Sequence, residues 1–231
     1  MSRVDPLRRF RQEYDGEGLS EDSAPEAPLE IVEAWIEAAV ERAAERGDVP
    51  EPTAMSVATV DADGVPDVRT VLLRGLDHRG PAFYTSTRST KGRQLAANPG
   101  VAASLTWPSM YRAVRFRGYA ELLPEDEVLA YFRSRPWGAR IGAHASAQSE
   151  PVPDRATLEA AYAEAAARYP DTGSPDDVPV PEGWGGYRVV ADRVELWAGR
   201  PSRLHDRLVW ERVGPGALDD PTAWRRVRLA P

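Results

Sequence analysis

Trp197 is followed, after an Ala-Gly-Arg-Pro-Ser break, by Arg203-Leu204-His205-Asp206-Arg207. Read as a strand, this pentad alternates its side chains, and Arg203, His205 and Arg207 share one face. Two permanent cations around a proton-exchanging imidazole suit an anionic ligand better than a core. A solvated edge strand is the plain alternative. The chain has only three histidines, His78, His144 and His205, too dispersed to spell a metal site.

A second cationic stretch sets Arg69, Arg74, Arg79, Arg88, Lys91 and Arg93 against one acid, Asp77. The whole chain carries a net charge of −7, so this local excess suits a small-anion pocket rather than a nucleic-acid track. A solvated basic face is again the alternative. Of the 29 basic residues 28 are arginine, which leaves Lys91 as the one compact ammonium. Arg69 and Arg74 are five apart, a spacing that turns them to opposite faces of a regular strand. Tyr84-Thr85 closes the next strand, and the Ser-Thr-Arg-Ser-Thr-Lys91 run after it combines hydroxyls, an ammonium and a helix start. That combination can cradle a phosphate. Tyr131 and Arg135 share a helical face if their helix persists that far. Gln148-Ser149 is a polar loop pair that says little alone.

These side chains need a scaffold, and the pattern supplies one. Pro28 opens a helix to about Arg46 with Val32, Trp35, Ile36, Ala39 and Ala43 on one face, and Gly47 ends it. Strands follow at Ala54 to Val60, Val65 to Arg74 and Pro81 to Thr85. Ser89 caps a short helix from Thr90 to Ala97. Val101 to Trp107 and Arg112 to Leu122 read as a hairpin, and helices follow from Pro124 to about Phe132 and from Arg155 to Arg168. Gly186 to Trp197, Leu204 to Arg212 and Ala223 to Leu229 finish as strands. Hairpin-linked strands with few helices predict a mainly β, α+β fold, an antiparallel barrel with peripheral helices. Residues 1–28 read as a polar arm, loosely ordered except near Arg11 to Tyr14, and 29–231 as one domain.

Composition narrows the chemistry. The 231 residues hold no cysteine, which removes disulfides and thiolate sites. No apolar run approaches the ~18 residues of a membrane span, and no signal-peptide core opens the chain. A cytoplasmic protein that binds neither membrane nor nucleic acid is expected. No dinucleotide fingerprint, Walker loop, zincin motif or nucleophile elbow is present.

Taken in order, the motifs resemble the pyridoxamine 5′-phosphate oxidase family over nearly the whole chain. The resemblance rests on Arg11-Gln12-Glu13-Tyr14, Pro52-Thr53-Ala54-Met55, Arg69 to Arg74, Phe83-Tyr84-Thr85, Ser134-Arg135-Pro136, Gln148-Ser149, Trp184-Gly185-Gly186, Glu195-x-Trp197 and Arg203 to Arg207. It implies a Greek-key-like, FMN-binding split β-barrel, assembled as a homodimer with flavin at the interface. It assigns FMN to Arg69, Thr70, Val71, Leu72, Leu73, Arg74, Tyr84, Thr85, Lys91, Gln148, Ser149, Trp197 and Arg207. Substrate phosphate falls to Arg74, Tyr131 and Arg135, and Arg203, Leu204 and His205 flank the substrate ring. Arg203 and His205 form the catalytic pair, with Arg203 steering protonation at C4′ and His205 positioning. Arg11 and Tyr14 make the arm a substrate lid. The implied reaction moves a hydride from C4′ of pyridoxamine or pyridoxine 5′-phosphate to flavin N5, O2 is reduced to H2O2, and pyridoxal 5′-phosphate results.

The chain departs from the family pattern in four places. Arg74 stands where a lysine is usual, Ala139 where a serine near the phosphate is expected, Thr90 where an arginine precedes the lysine, and Ala113 where a glutamine meets flavin. Arg88 or Arg93 are the candidate replacements for the lost arginine. The departures keep two alternatives open: a related split-barrel flavin oxidase acting on another aromatic substrate of the phenazine-precursor type, and a non-catalytic protein that binds FMN or pyridoxal phosphate.

Overall fold

A computed structural model describes residues 13–231, so Arg11 lies outside the described residues. Helix α1 (Leu29–Arg46) buries Val32, Trp35 and Ala39, the face its apolar spacing predicts, and Gly47 ends it at φ 68°. Strands β1 (Ala54–Val60), β2 (Pro66–Leu72), β3 (Gly75–Asp77) and β4 (Gly80–Ser86) follow, then helix α2 (Thr90–Ala97). The hairpin β5 (Gly100–Trp107) and β6 (Arg112–Leu122) leads to helices α3 (Glu125–Ser134), α4 (Trp137–Ala145) and α5 (Arg155–Arg168). Strands β7 (Trp184–Ala198), β8 (Asp206–Arg212) and β9 (Trp224–Arg228) complete the chain.

The strands form one antiparallel sheet in the order β2-β1-β5-β6-β7-β4-β3, with β8 on β7 and β9 on β8. β2 and β3 are consecutive in sequence yet sit at opposite ends of that path. Leu73 N–H still donates to Thr53 O beside β1, whereas Arg74 N–H donates to Ala82 O on β4. The chain therefore turns a corner at Leu73-Arg74, and the sheet curls into a half-barrel. Alternating strand residues fill it: Val101, Ala103, Leu105 and Trp107 of β5 are all buried, beside Met55, Phe83, Phe116 and Leu196.

β7 is the fork of this sheet. β6 borders it throughout, while β4 pairs with 184–188 and β8 with 193–198 on the other edge. A register shift at Arg117/Gly118 bends the β6–β7 ladder. A Cβ at Gly118 would stand 2.0 Å from Val190 O, so only glycine allows that approach.

Two readings are corrected here. Residues 137–145 carry no assigned element in the sequence yet form α4. Its two glycines weaken local propensity, and burial of Ile141 and Arg140 hydrogen bonds to Pro175 O (2.6 Å) and Ser174 O (3.2 Å) hold it. The pentad 203–207 is not a strand, because β8 begins only at Asp206. Pro201–Arg203 is a 3-10 turn in which Ser202 (φ 57°) and Arg203 (φ 62°) both adopt left-handed backbone. Pro201 carries no N–H for a ladder, and Ser202 N–H donates instead to Glu13 Oε1 at 2.8 Å. The described part of the arm, from Glu13 onward, is tied to the sheet at several points. Leu19 and Ala24 are buried, Leu19 N–H donates to Asp206 Oδ2 at 2.9 Å, and Glu21 pairs with Arg228 at 2.6 Å.

Candidate active site

The corner at Leu73-Arg74 opens a cavity of about 550 Å³, a size suited to a cofactor or small ligand. β2 and the corner supply Arg69, Thr70, Val71, Leu72 and Arg74. Arg69 and Arg74 were expected on opposite faces. They line one cavity because the strand ends at Leu72 and the alternation stops with it. Leu73 points into the core instead, 6% exposed. Tyr84 and Thr85 come from β4, Thr90 and Lys91 from the first turn of α2, Tyr131 and Arg135 from α3 and its end. Gln148, Ser149 and Trp184 complete the wall, and Ser149 holds a left-handed φ of 75°.

The electrostatics are one-sided. Arg69, Arg74, Lys91 and Arg135 face the cavity, and Asp67, 2.6 Å from Arg69, is the one acid on its wall among the described residues. Arg69 is held from behind: it donates to Val57 O, Thr59 Oγ1 and Gln94 Oε1 at 3.1, 2.6 and 3.0 Å. Nothing in the linear chain points to Thr59 and Gln94 as partners of Arg69, which they reach only through tertiary contact. Lys91 is 6% exposed, and its ammonium donates to Thr85 Oγ1 (3.0 Å), Ser89 Oγ (3.3 Å) and Gln148 Oε1 (3.3 Å), with no carboxylate partner among the described residues. Burial, with help from the Arg69 charge, pulls its pKa from 10.5 to about 8. Ser89 caps α2 as the sequence predicts, accepting from Gly92 N–H at 3.3 Å. A helix start beside an ammonium is a ready anion seat.

Tyr131 stacks on Tyr84 with ring centroids 3.7 Å apart. The helix stops at Ser134, so Arg135 reaches the cavity as its C-cap rather than along the helical face. Its guanidinium lies 4.4 Å from the Trp184 ring, and its buried Nη1 has no hydrogen-bond partner among the described residues. Burial lowers its pKa, as expected for a cation without a counter-charge. Arg88 and Arg93, the candidate replacements for an arginine at Thr90, pair outward with Glu182 and Glu150. Neither lines the cavity.

The remaining site residues gather at the other end of β7. Trp197 and Arg207 are a register pair. His205 lies 4.7 Å from the Trp197 ring and 5.3 Å from Tyr14, measured between centroids. His205 Nδ1 accepts from Arg200 N–H at 3.1 Å, so the neutral ring carries its proton on Nε2. Arg203 and Leu204 are exposed, Leu204 by 70%. Tyr84 pairs with Gly186 and Arg207 with Trp197, eleven residues further along β7. That separation is roughly 35 Å of strand, so one copy does not bring the two groups together.

A family model described as pyridoxamine 5′-phosphate oxidase matches residues 41–169, and one described as the pyridoxine 5′-phosphate oxidase C-terminal dimerisation region matches residues 184–231. The chain belongs to the pyridoxamine 5′-phosphate oxidase family. A pyridoxine/pyridoxamine 5′-phosphate oxidase of Kineococcus radiotolerans is 49% identical, covering 98% of this chain and 99% of the relative. Its counterpart in Pseudomonas paraeruginosa is 47% identical over 97% and 98%. Among solved structures, PhzG from Burkholderia lata, in complex with tetrahydrophenazine-1-carboxylic acid, matches with a TM-score of 0.80 and 29% identity, covering 94% of this chain and 99% of that one. An FMN-binding protein of Nostoc punctiforme (TM-score 0.64, 18% identity, 85% and 97% covered) shares the fold. The chain is thus a split-barrel member of an oxidoreductase family, and the dimerisation region supports a homodimer. The cavity side lies in the first matched region, apart from Trp184, and the Trp197 group in the second, apart from Tyr14. No helix among the described residues is long and apolar enough to cross a membrane.

Proposed function

We propose that this chain is an FMN-dependent oxidase that converts pyridoxamine or pyridoxine 5′-phosphate to pyridoxal 5′-phosphate, working as a cytoplasmic homodimer. The observation that carries the reading is a cavity with four cations against one acid, in which a buried Arg135 donor has no partner among the described residues. An orphan charged donor is costly, and phosphate oxygens are the groups that satisfy it. Two phosphates, one on FMN and one on the substrate, match two cationic seats, Lys91 with the α2 start and Arg135 with Arg74. The residues present therefore fit the cofactor.

FMN would be held by Arg69 and its strand, Tyr84, Thr85, Lys91, Gln148 and Ser149, with Trp197 and Arg207 contributed by a second copy. The distance along β7 motivates that division, because a site needing both groups requires two chains. Arg74, Tyr131 and Arg135 would hold the substrate phosphate. Arg203 and His205 would flank the pyridine ring, Arg203 stabilising charge and steering the proton at C4′, His205 positioning through Nε2–H. The strained backbone at Ser202-Arg203 fits a loop shaped by ligand rather than by its own stability. Tyr14, packed on Trp197 and His205, would close over the substrate with Arg11. When bound, FMN would supply the redox chemistry as a two-electron acceptor for the C4′ hydride, with O2 as the final oxidant reduced to H2O2 and, for the amine substrate, water consumed and ammonia released.

A second reading, a flavin oxidase for a phenazine-type ring, draws on the missing serine at Ala139 and the likeness to the Burkholderia protein. The Arg74, Tyr131 and Arg135 shell weighs against it, since several convergent donors suit a phosphate dianion better than a single ring carboxylate. The test is direct: FMN-loaded protein, oxygen and either phosphorylated substrate should give aldehyde and peroxide together. Silence with both substrates would overturn the proposal. Arg203→Ala should keep the yellow flavin while turnover falls about 100-fold or more; loss of the flavin instead would overturn the division of roles.

A further inference from the structure

We infer that Glu195 is a positioning residue that aims Arg207 at the flavin, an inference that rests on the oxidase reading, which gives Arg207 to FMN. The reaction itself makes no use of Glu195, yet its side chain is only 5% exposed on the central strand. Each carboxylate oxygen has its own guanidinium: Oε1 accepts from Arg207 Nε and Oε2 from Arg115 Nη2, both at 2.8 Å. Glu195 and Trp197 are two apart on β7, on one face, and Arg207 pairs opposite Trp197. Glu195, Trp197 and Arg207 therefore form one rigid patch of sheet.

The grip is directional. Arg207 also donates from Nη1 to Ala230 O at 3.1 Å. Nε and Nη1 are thereby occupied, and Nη2 has no partner among the described residues. A guanidinium is a planar fork, so fixing part of it fixes where the remaining donors point. Burial raises the Glu195 pKa, but hydrogen bonds from Arg207 and Arg115 outweigh it and hold the carboxyl below its ordinary value. The carboxylate thus stays charged at neutral pH. Arg115, 55% exposed, lets water share its charge, whereas Arg207 is 24% exposed and depends more on the carboxylate.

The alternative is that Glu195 merely neutralises two arginines in the groove it lines with them. FMN titration by flavin fluorescence separates the two, run on wild type, Glu195→Gln, Arg207→Ala, their double variant and Arg115→Ala, with a thermal melt of each. Glu195→Gln and Arg207→Ala should each weaken FMN binding about 10- to 100-fold, as for a hydrogen bond to a charged group. The double variant should bind no more weakly than Arg207→Ala, and Arg115→Ala should change binding less than about threefold. Wild-type affinity in Glu195→Gln, losses that multiply in the double variant, or an equal loss in Arg115→Ala would overturn the inference alone. A wild-type chain that takes up no FMN would overturn it together with the oxidase reading. Should Glu195→Gln fail to fold, Arg207→Lys keeps the charge without the fork; undiminished FMN affinity there would overturn the inference too.

Discussion

Two arginines near the start of β7 have opposite surroundings. Arg188 has a side chain only 7% exposed and is bound by Asp77 (2.9 Å) and Glu127 (2.8 Å), which Arg79 also shares. Arg135, against Trp184 four residues earlier on the strand, meets no carboxylate among the described residues and leaves a buried donor without a partner among them. A buried cation neutralised by its own chain belongs to the scaffold. A half-buried cation whose inward donor is left unsatisfied lowers stability until a ligand arrives, and such groups concentrate at functional sites. The Arg79–Asp77–Glu127–Arg188 network ties β3 and β4 to α3 and β7, so it braces the cavity from outside.

The comparison breaks most readily at Arg188. Arg188→Ala should destabilise the protein by about 3 kcal/mol in urea unfolding, the low end for a broken buried pair because Arg79 stays with both acids. The folded variant should bind FMN as before. Weakened FMN binding at unchanged stability would erase the distinction between the two regions.

Lys91→Met should weaken FMN binding about 10- to 100-fold, yet stabilise the FMN-free protein. The drop of the Lys91 pKa from 10.5 to about 8 corresponds to about 3 kcal/mol of penalty on the charged folded state. Between those two values the unfolded chain binds more protons than the folded one, so wild-type stability should rise with pH across pH 8 to 10.5. That rise should be missing in Lys91→Met, and its persistence would show that another group causes it.

Arg135→Met should raise the KM for the phosphorylated substrate about tenfold. It should leave the FMN-free melting temperature unchanged or higher, the reverse of Arg188→Ala. The smallest effect is expected at Ala139, four residues beyond Arg135 in the first turn of α4. Ala139→Ser restores a hydroxyl donor and should lower KM about threefold; no change would mean the hydroxyl does not reach the phosphate.

Much of this was readable in the linear chain. The apolar spacing of α1, the Ser89 cap of α2, the alternation in β1 and β5 and the limits of α5 follow from interactions a few residues long. So did the concentration of cations between Arg69 and Arg93, because charge is a property of composition. Other features depend on contacts between residues far apart. The chain's change of strand partner at Leu73-Arg74 put two arginines into one cavity where simple alternation separated them. Pro201 and the Glu13 contact made a left-handed turn where a strand was expected, and α4 stands on burial against α5 and the 170–183 loop.

Residue identity thus determined which chemistry was available: arginine, hydroxyl and aromatic groups, one ammonium, no thiol. Tertiary structure decided which cations meet carboxylates and which are left for a ligand, and it placed the two proposed halves of the site at opposite ends of β7. Hydrogen-bond partners such as Glu195 and Arg115, eighty residues apart, are chosen by sheet register, which short-range patterns do not encode.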